Sequence, residues 1–229
     1  MISAGGERAQ IDNDGIINLN GYDYAASKEV GYGMSIGDGR ANNNNTININ
    51  RMYGYGMAST EGTLTNNGTI NLTNGGYGIM GESGESFNNK DATITITGTP
   101  NMQNSYGMSM QDGTAKNFGQ IDVTGGSVDS KTYGISVNGG NGLNHGLINM
   151  HSDNAFGLFD EGDGEITNVA GGTINLYGNN SVGMQTTSGK AENFGTINVV
   201  GSNAAGMKLA GSGKVINNKG ATINVSGAG

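Results

Sequence analysis

The chain contains no cysteine, no tryptophan and only one proline among its 229 residues. Without cysteine, neither a disulfide framework nor thiol catalysis is available to it. The sequence also lacks any run of 18 apolar residues that could span a membrane, and any basic amphipathic stretch that could lie on one. The fold must therefore be held by packing and hydrogen bonds, and we expect the chain itself not to insert into a membrane.

Charge is scarce as well, since charged residues make up 13% of the chain and the net charge is −8. The eleven lysines and arginines are scattered, whereas binding nucleic acid requires a cluster of them. The two histidines, His145 and His151, form no pair and no Ser-His-Asp arrangement. A glycoside hydrolase needs two carboxylates close together, and none are paired on the strand faces. We therefore expect no nucleic-acid partner, no catalytic residue, no metal and no cofactor, so that the protein is not an enzyme.

Glycine is abundant, with 44 residues, and the hydrophobic content of 34% is low for one thick core. Residues 66–81 show how the chain uses its glycines. An Asn-Gly turn leads into a short alternating strand, and a glycine-rich corner then leads into a second strand. This unit recurs along the whole chain, and internal repetition of this kind determines the architecture.

The repeat is most easily followed from the isoleucine of its first strand. This residue recurs at intervals of 23 to 30 residues, at Ile17, Ile47, Ile70, Ile94, Ile121, Ile148, Ile174, Ile197 and Ile223. Another apolar residue follows two positions later, which places both side chains on one face of a strand. The residue between them is asparagine in seven of nine units, with Thr95 and Asp122 in the other two. That middle residue is predicted to face away from the core.

Two more positions complete the pattern. The second strand carries an aromatic residue, a glycine and a methionine or isoleucine, as in Tyr32-Gly33-Met34. The aromatic residue shares parity with the methionine, so we predict that the tyrosines also point inward. One asparagine occurs in every unit, at Asn13, Asn43, Asn66, Asn88, Asn117, Asn144, Asn168, Asn193 and Asn217. Asparagine tolerates the backbone of a sharp corner, and stacked asparagines can bond one another through their amides.

These features predict an all-β fold, a single-stranded right-handed parallel β-helix of about nine coils with three short strands each. One coil buries roughly five apolar side chains and cannot fold alone, so the coils must stack. We expect one continuous domain over residues 1–229. Because the sequence begins and stops within the repeat, without capping repeats, we also expect a fragment of a longer chain.

Three coils have a longer connection at the same place, over residues 20–31, 97–105 and 124–132. Loops on a rigid scaffold are where function usually lies, and the second and third of these loops are on adjacent coils. They could form a contact surface for a glycan or a protein, although solvated, tolerated insertion is the favoured interpretation of the loops taken alone. The candidate partner-binding residues are Asp23, Lys28, Glu29, Gln103, Asn104, Asp129 and Lys131.

Two other groups of residues have a possible role. The acidic run from Asp160 to Glu165 could bind calcium, which takes several oxygens at once, although a solvated corner is the favoured interpretation. The tyrosines could stack on sugar rings if they faced outward, but their parity favours stacking inside the core. Phe159 and Met80 are predicted to point outward.

The repeated Asn-(Asn/Phe)-Gly-Thr-Ile-Asn-(Leu/Val), followed by Tyr-Gly-(Met/Ile), resembles the passenger repeats of large type V autotransporters. It is most similar to the fusobacterial outer-membrane adhesins of the RadD-like group, over about residues 10–227. The resemblance implies a β-helical passenger displayed at the cell surface, anchored in the outer membrane by the rest of the parent protein. It carries no binding residues over to this chain, because the matching motifs are scaffold.

We therefore expect a non-catalytic adhesin segment, a monomeric rod whose loops bind a glycan or protein receptor on a host or bacterial surface. A polysaccharide-processing β-helix enzyme is one alternative, and it should show a cleft lined by paired acids on neighbouring coils. A phage-type fibre or tailspike is the other, and it should show an exposed apolar stripe for trimerisation.

Overall fold

A computed structural model describes residues 1–4, 9–21, 30–98, 104–125 and 130–227. In these ranges the chain forms strands, turns and bends, and it contains no helix able to cross a membrane. Three strands make each turn, and every strand pairs in parallel with the equivalent strand one turn away. The predicted parallel β-helix is confirmed.

In the described part of the chain, the strands are numbered in chain order and belong to three sheets of nine strands. Sheet A contains β1 (Ile2–Ala4), β4 (Gly31–Ile36), β7 (Gly54–Ser59), β10 (Gly76–Gly81), β13 (Ser105–Met110), β16 (Thr132–Val137), β19 (Ala155–Asp160), β22 (Val182–Thr186) and β25 (Ala205–Leu209). Sheet B contains β2 (Gln10–Asn13), β5 (Arg40–Asn43), β8 (Thr63–Asn66), β11 (Glu85–Asn88), β14 (Thr114–Asn117), β17 (Asn141–Asn144), β20 (Glu165–Asn168), β23 (Lys190–Asn193) and β26 (Lys214–Asn217).

Sheet C contains β3 (Ile16–Asn20), β6 (Thr46–Asn50), β9 (Thr69–Thr73), β12 (Thr93–Thr97), β15 (Gln120–Thr124), β18 (Leu147–Met150), β21 (Thr173–Leu176), β24 (Thr196–Val199) and β27 (Thr222–Val225). Nine stacked strands are separated by eight steps, so the number of complete turns is slightly below the predicted nine.

The core follows the predicted isoleucine column. Successive anchor isoleucines are register partners along sheet C, as Ile70 is with Ile47 on one side and Ile94 on the other. Most of them are fully buried and belong to one continuous hydrophobic cluster. The residue between the two inward positions of each strand faces outward, where Asn149 and Asp122 are hydrogen-bonded neighbours at 2.7 Å. Both predictions about this strand are confirmed.

The nine asparagines also stack in one column, at the corner between sheets B and C. The first eight are buried, with at most 4% of their surface exposed. Each side-chain amide donates to the Oδ1 atom of the asparagine on the next coil, over 2.7 to 2.9 Å. The same amide nitrogen of Asn117 also approaches the backbone carbonyls of Gly119 and Leu147 at 3.3 Å. The buried ladder thus satisfies the corner backbone without water.

The tyrosines do not point into the core, so that prediction is wrong. In sheet A, Tyr32 pairs with Tyr55 and Met34 pairs with Met57, while the intervening Gly33 has no register partner. A Cβ atom on Gly33 would lie 2.6 Å from Ile47 Cγ2 in the core, so Gly33 and Met34 both face inward. Two successive inward residues break the alternation of the strand, and the aromatic residue before them therefore faces outward.

Candidate functional site

The three long connections all run from sheet C to sheet A, at one edge of the coil. Of the candidate residues in them, five lie outside the described part of the chain, namely Asp23, Lys28, Glu29, Gln103 and Asp129. Asn104 and Lys131 are described, and both are exposed. They are the last residues of the second and third loops before sheet A begins again.

These two loop ends meet on adjacent coils. The backbone nitrogen of Lys131 donates to Asn104 Oδ1 at 2.9 Å, and the backbone nitrogen of Ser105 donates to the Lys131 carbonyl at 3.2 Å. The ammonium group of Lys131 lies 5.9 Å from the ring centroid of Phe156 on the following coil. Asn104 and Lys131, which we call the loop ridge, therefore stand side by side as the sequence predicts.

The tyrosine ladder lies on the outer face of sheet A beside the loop ridge. Its rings stack face to face at centroid distances of 4.6 to 4.9 Å, through Tyr32, Tyr55, Tyr77, Tyr106 and Tyr133. Their faces cover one another, so a sugar ring cannot stack along the ladder between its ends. The ladder ends in a cluster with Phe156, Val182 and the outward-facing Phe159. The ladder therefore borders the ridge, and Lys131 of the ridge lies over Phe156 at its end.

Partial burial raises the pKa of the Tyr77 hydroxyl well above its ordinary value of 10, with smaller contributions from Tyr106 and Tyr55. Above pH 10 the unfolded chain loses this proton while the folded chain keeps it, so stability that is complete below pH 10 falls as the pH rises. We expect the urea midpoint to decrease above that pH, and to decrease less steeply in Tyr77→Phe. If the urea midpoints of the two proteins fall equally steeply with pH, Tyr77 does not contribute to the loss of stability at alkaline pH.

The acidic run is only partly the solvated corner that the sequence favours. Asp160 is fully buried, because it occupies an inward position of β19 next to Val137. Its carboxylate accepts hydrogen bonds from the backbone nitrogens of Gly162 at 3.1 Å and Gly164 at 3.3 Å, and from Thr186 Oγ1 at 2.7 Å. Asp160 therefore closes the turn. Among the described residues, no group of three or more His, Cys, Asp or Glu side chains could hold a metal ion.

One pair of acids comes close to the arrangement that the enzyme alternative requires. Asp112 and Asp163 flank Gly139, and a Cβ atom placed on Gly139 would lie 3.3 and 3.6 Å from their Oδ1 atoms. The two oxygens therefore lie no further apart than the carboxylates of an inverting glycosidase can. Both side chains are exposed at an open corner between sheets A and B, which gives neither carboxyl the buried setting of a general acid.

Comparison with protein-family models, with curated proteins and with solved structures finds no match to this chain. The contacts of its own residues therefore carry the functional argument.

A second feature, which the sequence analysis missed, lies at the corner between sheets B and C. It is a groove of about 500 Å³, and its lining includes Asp91, Phe118, Gln120, Leu147, Gly171 and Thr173. We call it the corner groove. The lengths of the connections between sheets B and C indicate this groove. Two of these corners, residues 89–92 and 169–172, have four residues each, and the two corners between them have two residues each. A change from asparagine to aromatic residues accompanies it.

Proposed function

We propose that this chain is a non-catalytic passenger segment of a bacterial surface adhesin, which displays the loop ridge to a glycan or protein receptor. The observation that carries the proposal is the meeting of Asn104 and Lys131 on adjacent coils, at the edge where the long connections emerge. Exposed polar loop residues on a regular scaffold are typical of recognition surfaces. The parent protein would be anchored in the outer membrane, with this segment outside the cell.

The scaffold suits such a role because its order extends along one axis. Eight steps at the spacing of paired strands give a rod roughly 40 Å long. One core runs through it, and the buried asparagine ladder links the coils at one corner. A rod of this kind holds its loops at a fixed distance from the point of attachment, and we propose that it acts as a monomer.

The proposal is tested by the binding of the 229-residue chain to host and bacterial cells, with Lys131→Glu and Asn104→Ala as ridge variants. Substitution is preferable to deletion of the loop, because Ser130 and Thr132 are buried. Lys219→Glu, an exposed change in the last turn of the rod, is the matched control for charge.

We expect the ridge variants to bind at least tenfold more weakly than the unsubstituted chain, with unchanged circular dichroism. Lys219→Glu should bind as the unsubstituted chain does. Unchanged binding of both ridge variants would show that the ridge is not the contact surface. No binding of the parent chain to any cell surface would contradict the adhesive role.

A further inference from the structure

We propose that the corner groove is a binding subsite for an uncharged pyranose glycan. The proposal rests on the adhesive function above and names a ligand class for a second site. It follows from the shape of the groove, from the aromatic residues at its floor, and from the chemistry of the lining.

The two ends of the groove are formed by corners that are longer than their neighbours. Each is a hydrogen-bonded turn, closed by Ala92 N to Asn89 O at 3.0 Å and by Gly172 N to Val169 O at 2.8 Å. The third residue of each turn, Asp91 or Gly171, has a positive φ, of 68° and 90° respectively, which directs the chain outward as in a type II turn. The walls lie three coils apart, or about 14 Å, and two short corners form the floor between them.

At this floor the corner position changes from asparagine to aromatic residues, a change that the repeat also shows at Phe194. On the preceding coils the corner position is an exposed amide ladder, in which Asn67 donates to Asn44 at 2.8 Å and Asn89 donates to Asn67 at 2.7 Å. On the next two coils Phe118 and His145 take that position and stack at a centroid distance of 4.5 Å. The buried asparagine beside each corner is nevertheless present in all these coils.

Phe118 forms the apolar platform of the groove, and the ring of His145 stacks on one of its faces. Phe118 is 39% exposed, and Leu147 adds an apolar side chain to a sheet C column that holds Thr93, Gln120 and Thr173 on the neighbouring coils. Burial, with a smaller effect of Lys116, lowers the pKa of His145, which keeps its ring uncharged at neutral pH. The C–H face of a pyranose ring packs on the face of an aromatic ring, and here that is the face of Phe118 turned away from His145.

Polar groups border the platform in a way that suits a ligand rich in hydroxyl groups. Thr93, Gln120 and Thr173 line one side of the groove, and Lys90 and Asp91 line the lower wall. The charges of Lys90 and Asp91 are opposite, so the lining favours neither an anion nor a cation, and the net charge of −8 disfavours acidic polysaccharides. An apolar surface with a few convergent polar groups is the usual form of a small-ligand site.

The test uses the 229-residue chain and four probes. Lactose, N-acetyllactosamine and chitotetraose are neutral, and sialyllactose is the acidic counterpart of lactose. Saturation-transfer NMR detects contact, and amide shift changes locate it. We expect at least one neutral probe to bind with shift changes confined to residues 89–93, 118–120, 145–147 and 171–173, and sialyllactose to bind more weakly than lactose.

Phe118→Ala should weaken that binding at least tenfold, with the melting temperature nearly unchanged because the side chain is at the surface. Phe194→Ala is the matched control, since Phe194 is 43% exposed, occupies the same corner position and lies outside the groove lining. It should bind as the parent chain does.

Four results would overturn the proposal. They are no saturation transfer from any neutral probe, shift changes elsewhere on the rod, equal losses for the two phenylalanine variants, or light scattering that shows an oligomer dispersed by Phe118→Ala. The last result would identify the surface around Phe118 as a contact between copies of the chain.

Failure here is separable from failure of the adhesive role. If binding to cells depends on Lys131 but no sugar binds in the groove, the adhesin proposal stands and this inference fails. A sugar in the groove without any binding to cells would retain this inference and contradict the adhesive role.

Discussion

Replacing Gly107 by alanine is expected to destabilise the rod severely, although the change adds one methyl group. A Cβ atom at this position would lie 2.5 Å from the carbonyl oxygen of Gly134 on the next coil and 2.5 Å from Ile121 Cγ2. Neither can move easily, because the strand is paired on both sides and the isoleucine is fully buried. Overpacking costs about 1–3 kcal/mol where a core can adjust, and we expect a loss at or above the upper end of that range.

Gly15→Ala is the matched control for that prediction. Gly15 is exposed, and nothing lies within 4 Å of the position that its Cβ would take. The same substitution should therefore leave the free energy of unfolding nearly unchanged. Urea unfolding followed by far-UV circular dichroism compares the two variants. A similar midpoint for Gly107→Ala and the parent chain would show that the coils are not packed as closely as described.

Asn117→Ala is expected to have an effect of similar size through lost hydrogen bonds. The change removes the acceptor of the Asn88 amide and the donor to Asn144 Oδ1, in a column that is closed to water. The carbonyls of Gly119 and Leu147 lose a partner as well. Each buried polar group left unsatisfied costs about 1–3 kcal/mol, so we expect a total near 3–5 kcal/mol.

Asn198→Ala provides the control, because it removes an asparagine from the outward ladder of sheet C. That side chain accepts from Asn224 and donates to Asn175, both at 2.8 Å, but it is only partly buried and water can replace it. We expect a loss of under about 1 kcal/mol. Equal losses for Asn117→Ala and Asn198→Ala would mean that burial does not give the inner ladder its importance.

The sequence was sufficient for most of the fold because the repeat obeys simple periodicities. Ile70 and Leu72 are two residues apart and both point inward, as an alternating strand requires. The asparagine column was predictable from one position shared by every unit. Residues one repeat apart become hydrogen-bonded neighbours, so the position in the repeat gives the register directly.

The prediction that the tyrosines point inward failed because the backbone departs there from regular alternation. Gly33 takes no register partner, and this single irregularity moves Tyr32 from the inside to the outside. The prediction for Asp160 was wrong for another reason, because its acidic neighbours suggested a solvated turn. Its position in β19 is an inward one, and the carboxylate is stabilised there by backbone donors of its own turn.

The candidate sites were predictable only in part. Connection length located the loop ridge, because an insertion in one coil must leave the stack at a definite edge. The corner groove depends on the order of short and long corners over four coils and on two substitutions among them. No single unit shows that arrangement, and it becomes visible only when the coils are placed in register.

The central claim is that equivalent residues lie directly above one another along one straight axis. It is tested most directly by the distance between spin labels in Ser35→Cys/Gln185→Cys, since the chain has no other cysteine. Successive register pairs join these positions through six steps on the outer face of sheet A. We expect one narrow distribution centred near 29 Å, six times the spacing of paired strands. A broad distribution, or a centre well below that distance, would contradict the stacked coil.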